Sequence, residues 1–195
     1  QWGTSAVKLG FFSPAENSGG FIIGYQGERF VDEVLSIGWS IDWFHTDYID
    51  KKFVRELNSI YGVGSGEINE IRARTNLHQF PIMANATARF PVSPGVEFYV
   101  TGGIGAEMML IHHRNFQRTD EEEMKAAFDF NWRGGVGTAY QFGTRSEIFG
   151  ELSFHSSNPG WEYKVYDEEL GRDRIFERSF DMSGFMARVG IRIFY

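Results

Sequence analysis

One property limits what this chain can fold into more than any other: apolar residues recur at every second position, segment after segment, with charged or small residues between them. The last twelve residues, "GFMARVGIRIFY" from Gly184 to Tyr195, show it plainly. Phe185, Ala187, Val189, Ile191, Ile193 and Tyr195 fall on one face, and Met186, Arg188, Gly190, Arg192 and Phe194 on the other. That is the period of a strand. In "VLSIGWSIDWFH", Leu35, Ile37, Trp39, Ile41 and Trp43 alternate with Ser36, Gly38, Ser40 and Asp42. Val7, Leu9 and Phe11 mark an earlier strand, and Phe21, Ile23 and Tyr25 a second. "VEFYVTGGIGAEMML" sets Phe98, Val100, Ile104, Ala106, Met108 and Leu110 against Glu97, Tyr99, Thr101, Gly103, Gly105 and Glu107. "AFDFNWRGGVGTAY" and "SEIFGELSF" repeat the pattern around Trp132 and Leu152. A less regular stretch from Ile71 to Phe90 completes the set, and Pro81 inside it predicts a bulge or local irregularity.

The alternation predicts about eight strands, a number at which side chains fill a closed sheet. Short connections fall near Arg29 to Asp32, Pro91 to Gly95 and Phe142 to Thr144; longer ones fall near Ser13 to Gly19, Asp47 to Glu70, His113 to Glu123 and Asn158 to Arg178. Short and long alternate along the chain. An up-and-down barrel then carries all its short turns at one end and its long loops at the other, the asymmetry of barrels with periplasmic turns and extracellular loops. Residues 1–195 form one domain, with no boundary, solenoid repeat or low-complexity tract.

Which face is inside decides the solvent. A soluble barrel of this size turns its large apolar side chains inward and its charges out. Here the face opposite the apolar one carries Asp42, Arg89, Glu107, Asp129, Arg133, Glu151, Arg188 and Arg192. Their signs are mixed, so an interlocked ion-pair network fills the interior; one such charge buried alone would cost several kcal/mol. The apolar face therefore meets lipid, and the aromatics Trp39, Trp43, Trp132, Tyr140 and Tyr195 are expected as interfacial anchors. A mean hydropathy of -0.30 gives no sign of this, because averages are blind to alternating strands. The net charge of -7 argues against a nucleic-acid partner, and the absence of cysteine removes disulfides and thiolate chemistry. Beginning at Gln1 with no basic and apolar leader, the sequence reads as a mature chain after removal of an export signal.

With "GFMARVGIRIFY" as a terminal strand ending in an aromatic, and with "YVTGGIGAE" and "GGVGTAYQFG", the chain resembles the OmpA/OmpX-like small outer-membrane barrels over its whole length. The resemblance implies an all-β, eight-stranded antiparallel barrel in the bacterial outer membrane, inserted by the barrel-assembly machinery, with a polar plugged interior and no open pore. Outer-membrane lipid and lipopolysaccharide are then its surroundings, and a protein partner in the envelope is a further expectation.

Three groups of residues invite chemistry. His45, His78, His112, His113 and His155 fall near the long-loop ends of strands, where imidazoles suit the headgroup boundary as well as a metal; no metal or other cofactor is assigned. The acidic runs Asp120 to Glu123 and Asp167 to Glu169 suit a solvated loop, or divalent cations bridging lipopolysaccharide phosphates. The third is "FHSSNPG", Phe154 to Gly160, which looks like the active-site strand of the lipid A 3-O-deacylase family. That resemblance implies Ser157 as nucleophile, His155 as its base, Glu169 (or the adjacent Glu168) orienting the His, and Asn158 helping the oxyanion. Strict alternation turns His155 and Ser157 inward, whereas an enzyme acting on membrane lipid needs them open to the leaflet. "SNPG" is also a plain turn. Three readings follow: a structural or loop-displaying barrel, a serine esterase acting on lipid A, and a barrel subunit of a larger assembly.

Overall fold

The computed structural model describes residues 2–15, 18–49, 55, 74–114, 122–167, 170–179 and 181–195. It contains β1 (Gly3–Pro14), β2 (Gly20–Phe30), β3 (Leu35–Ile49), β4 (Arg74–Ser93), β5 (Val96–Arg114), β6 (Glu122–Gln141), β7 (Ser146–Ser156), β8 (Gly160–Asp167), β9 (Arg172–Ser179) and β10 (Gly184–Phe194). Eight of them close into an antiparallel barrel in the order β1-β10-β7-β6-β5-β4-β3-β2, while among the described residues β8 and β9 pair only with each other. The seam runs from Thr4↔Phe194 to Pro14↔Gly184 and closes the sheet, so each barrel strand has a neighbour on both sides over the height that the shorter strands reach.

The short connections are tightly tied. Between β2 and β3, the Val31 N–H donates to the Leu35 carbonyl at 2.9 Å. The Asp32 carboxylate accepts from the N–H groups of Leu35 at 2.7 Å and Val34 at 2.8 Å. Those two donors hold the Asp32 carboxyl below the usual carboxylate range. Gly95 turns β4 into β5 with φ at +76°, a conformation that glycine adopts without strain. Between β6 and β7 the Phe142 N–H reaches the Ser146 carbonyl at 3.1 Å.

The opposite end is built from strands of unequal length. β4, β5 and β6 run for 20, 19 and 20 residues, against 11 for β2, β7 and β10. About 9–11 residues suffice to cross a bilayer. The wall formed by β4 to β6 therefore rises past the rest of the barrel. It absorbs parts of two segments expected as loops: Asp47–Ile49 belongs to β3, and His113 and Glu123 pair with each other across β5 and β6. The stretch expected as a loop from Asn158 to Arg178 instead contains the β8–β9 hairpin, joined in register from Gly160↔Ser179 to Asp167↔Arg172.

No bulge forms at Pro81. The β4–β5 ladder runs through Pro81↔Glu107 without a shift, and the register shift lies at Pro91/Ser93, beside the turn. What Pro81 does is interrupt pairing on its other side: the β3–β4 ladder stops at Ile41↔Ile82 and resumes in the same register at Phe44↔Gln79. A residue without an N–H cannot donate to that ladder.

Inside and outside follow the alternation. Outward residues are apolar and exposed, with Phe185 at 71 % and Leu152 at 63 %, whereas Arg188 and Arg192 on the inner face of β10 are at 3 % and 1 %. A closed sheet with its greasy face outward and its guanidinium groups inward is built for immersion in lipid.

Candidate functional site

The charged lumen fills in layers. Nearest the short turns, Arg89 Nη2 pairs with Glu28 Oε2 at 2.8 Å and Arg89 Nη1 with Glu147 Oε1 at 3.4 Å, and Arg192 donates to the same Glu147 oxygen. The Arg192 guanidinium carbon lies 4.5 Å from the centre of the Phe149 ring and 5.5 Å from that of Tyr99. The next layer is a continuous chain: Arg133 Nη1 to Asp42 Oδ2 at 2.6 Å, Asp42 Oδ1 to Arg188 Nη1 at 3.0 Å, Arg188 Nη2 to Glu151 Oε1 at 2.5 Å, and Glu151 Oε2 to Lys8 Nζ at 3.2 Å. Between Lys8, Arg133, Glu151 and Arg188 remains a cavity of only about 10 Å³, room for roughly one water molecule.

Of the eight residues predicted to form this network, Asp42, Arg89, Arg133, Glu151, Arg188 and Arg192 sit in it. Glu107 and Asp129 do not. Glu107 lies above, accepting from Gln79, from Asn131 Nδ2 at 3.5 Å and from His155 Nε2 at 3.2 Å. Asp129 stands at the rim, where its carboxylate receives the backbone N–H of Asn158 at 2.6 Å. Lys8, Glu28 and Glu147 supply charges that sequence reasoning missed. The signal was present in each: Lys8 is polar between Val7 and Leu9, Glu28 lies two positions from Gln26 on the polar face of β2, and Glu147 precedes Ile148 in phase with Glu151.

Above the ions the lumen turns apolar. Phe12, Ile22, Phe44, Leu77, Met109, Ile111, Ala127, Met182 and Met186 form one buried cluster. Phe12 and Phe44 meet edge to face at 5.0 Å. Met182, from the segment that returns from β9 to β10, is fully buried, and its N–H donates to the Ser157 carbonyl at 3.0 Å. From β6, Lys125 Nζ reaches the backbone carbonyl of Glu162 at 2.5 Å and ties the hairpin to the wall.

The motif at the end of β7 does not bring the Ser157 hydroxyl and the His155 ring into hydrogen-bond contact. His155 and Ser157 both point into the barrel, at 0 % and 5 % exposure. The ring of His155 bonds to Glu107 and packs edge-on against Phe12 at 5.6 Å, while Ser157 Oγ makes no hydrogen bond to any described residue. A serine is activated by a base within hydrogen-bond reach, and that contact is not made. Glu168 and Glu169 lie outside the described residues, as do Asp120 and Glu121 of the acidic run.

On the outer face, Trp43 closes the apolar run of β3 at the long-strand end, Trp132 lies within that of β6 with Phe130 and Phe128 beyond it, and Tyr140 and Tyr195 stand at the short-turn end. Trp39 lies four residues past the start of β3 at Leu35, between Ile37 and Ile41, with its ring 5.5 Å from that of Tyr25. Beyond Trp43, His45 and His78 stack at 4.4 Å, and the Trp43 indole N–H donates to His78 Nδ1 at 3.3 Å. Among the described residues, no group of three or more His, Cys, Asp or Glu is placed to hold a metal ion.

No protein-family model matches the sequence, and no curated protein sequence matches it. Solved structures do. Neisserial surface protein A superposes with a TM-score of 0.63 at 8% identity, over 100% of this chain and 96% of that one. The outer membrane protein OprG from Pseudomonas aeruginosa gives 0.66 at 10% identity, over 99% and 96%. A major outer membrane protein from Thermus thermophilus gives 0.62 at 11% identity, over 98% of both chains. At such identities the likeness is one of fold, and the fold is that of small bacterial outer-membrane barrels.

Proposed function

We propose that this chain, an eight-stranded β-barrel of the small outer-membrane type, is a closed and non-conducting barrel that reinforces the envelope and holds its long-strand end out for interaction. The observation that carries the reading is the lumen's filling by two layers of ion pairs and then a plug of apolar side chains, with a cavity of about 10 Å³ among the charged groups of the second layer. A through-pore needs a continuous path, and eight strands enclose little beyond their own side chains. Outer-membrane lipid and lipopolysaccharide are the partners that the apolar belt suits, and the barrel-assembly machinery is the expected agent of insertion.

In planar bilayers the purified barrel should give no stepwise conductance, and steady open-channel events would overturn the closed reading. In the host bacterium, removing the chain should let an otherwise excluded hydrophobic dye cross the outer membrane. Complementation should be complete with Ser157→Ala. If that variant inserts and folds but leaves the defect in place, the hydroxyl carries the function and the ester-cleaving reading returns.

A second reading, as a subunit of a larger outer-membrane assembly, is supported by the outer face of β6 beyond Trp132, where Phe128 and Met124 are 73 % and 69 % exposed. A native mass in lipid nanodiscs equal to one chain, with no co-purifying protein after gentle extraction, would remove it.

A further inference from the structure

We propose that the mouth of the barrel at its short-turn end is a binding site for an organic cation, a guanidinium or ammonium group on an apolar stem. The envelope role proposed above enters only in calling this end periplasmic; the site stands on its own geometry.

That geometry is a cavity of about 550 Å³ whose lining includes Trp2, Phe30, Arg89, Glu97 and Phe194. The volume lies in the range of pockets that take small ligands. Its walls are aromatic: the rings of Phe30 and Phe194 stack at 6.3 Å with 15° between their planes. Trp2, at the rim, is held by its backbone, with its N–H on the Tyr195 carbonyl at 3.1 Å and its carbonyl receiving the Phe30 N–H at 3.1 Å. The walls are thus fixed by the same ladders that close the barrel.

The charge of the lining selects the ligand's sign. Arg89 is the one cation among the residues that line the cavity, and its guanidinium is already committed to Glu28 and Glu147. Three carboxylates face it: Asp32, Glu33 and Glu97. Asp32 is engaged by the turn's own N–H groups, which leaves Glu33 and Glu97. Glu33 is exposed, and Glu97 has Arg89 as its nearest cation, 3.9 Å away and without a hydrogen bond. Glu33, with no ion pair among the described residues, and Glu97, whose one ion pair is the long 3.9 Å contact to an Arg89 shared with two other carboxylates, lie beside aromatic faces and favour a cation that can stack while it pairs. The molecule already uses one of these walls in that way: the Arg89 guanidinium carbon lies 5.7 Å from the centre of the Phe30 ring. A second guanidinium or ammonium entering from solvent would meet Phe194 and Trp2 along its stem and the two glutamates at its head. An anion would meet the reverse, with three carboxylates repelling it and the only guanidinium occupied.

The chemistry is shared by free diamines and by basic side chains of a periplasmic polypeptide. The test therefore titrates two probes, agmatine and the capped tripeptide acetyl-Gly-Arg-Gly-amide, into the whole barrel in nanodiscs, and follows backbone amide shifts by NMR. Saturable shifts confined to residues 31–35, Trp2 and Glu97 are expected with both. Tighter binding of the tripeptide assigns the site to a basic side chain, and equal or tighter binding of agmatine to a free amine. Glu33→Gln combined with Glu97→Gln should weaken either by tenfold or more while the barrel keeps its folded mobility on unboiled gels. Should that double variant fail to fold, Trp2→Ala, which removes a wall and keeps both carboxylates, serves in its place with a smaller loss expected. The proposal is overturned if neither cation gives a saturable shift at these amides, if the variants bind as well as the native chain, or if acetate saturates the same amides.

Discussion

Gly134 and Gly137 stand three residues apart on β6 and look in opposite directions. A Cβ on Gly134 would meet nothing within 4 Å, because it faces outward; on Gly137 it would run into the Tyr99 ring and lie 2.6 Å from the Gly150 carbonyl. Tyr99 has no room to retreat, since its hydroxyl donates to Glu151 at 3.3 Å. Gly134→Ala should leave the denaturant midpoint in lipid vesicles unchanged, and Gly137→Ala should cost about 1–3 kcal/mol. Arg188 presents a different exposure to mutation. Arg188→Ala leaves Asp42 with Arg133 and Glu151 with Lys8, but strips each carboxylate of one of its two cations in a lumen with little room for water. A loss of about 3–5 kcal/mol is expected in the same measurement. Asp32 is on the surface, and its effect is one of pH. Its carboxyl is held low by the Leu35 and Val34 N–H groups, so its contribution to the turn is present above the ordinary aspartate range and is lost as pH falls through the folded value. Protection of the Val34 and Leu35 amides from hydrogen exchange should persist below the pH at which a free aspartate is protonated, and Asp32→Ala should abolish that pH dependence.

The β8–β9 hairpin is attached to the barrel without being part of it. Among the described residues its strands pair only with each other, and its ends meet at Gly160↔Ser179. Replacing residues 160–179 by a short Gly-Ser link should leave the barrel's gel mobility and unfolding midpoint nearly unchanged. Met182, only three residues past the hairpin, behaves oppositely, because it is sealed in the apolar plug. Met182→Ala should cost about 2–5 kcal/mol. The sequence distinguishes these elements unevenly. Barrel strands are legible wherever one face is uniformly apolar, as in β3 and β10. The hairpin carries the same alternation in Trp161, Tyr163 and Val165, yet its other positions and its partner strand are crowded with charges, so it reads as loop. β4 is legible only in part: Pro81 suggests a bulge or a local irregularity, and only the pairing shows that it is the latter, the chain passing straight through and giving up hydrogen bonds on one side. The site is harder still. Alternation tells which charges point inward, but which of them meet depends on cross-strand register. Glu107 therefore binds His155 and two amides while Glu147, in a similar setting, binds two arginines.

At the scale of the whole molecule, the barrel should resist detergent until boiled and migrate faster unboiled than boiled, since a closed ladder offers no edge from which to unravel. A chain lacking residues 184–195 should show one mobility only. The reason lies in the seam, where Thr4 faces Phe194. Partners so far apart along the chain meet only after everything between them has been made, so no shorter prefix of the barrel can hide its own edges, however long it grows. Without β10, the β1 and β7 that it joins would be two raw borders of an open sheet. That strand thus works as a certificate of completeness: a chain cut short of it by stalling or cleavage stays visibly unfinished to chaperones and proteases, and only an intact barrel can disappear into the membrane.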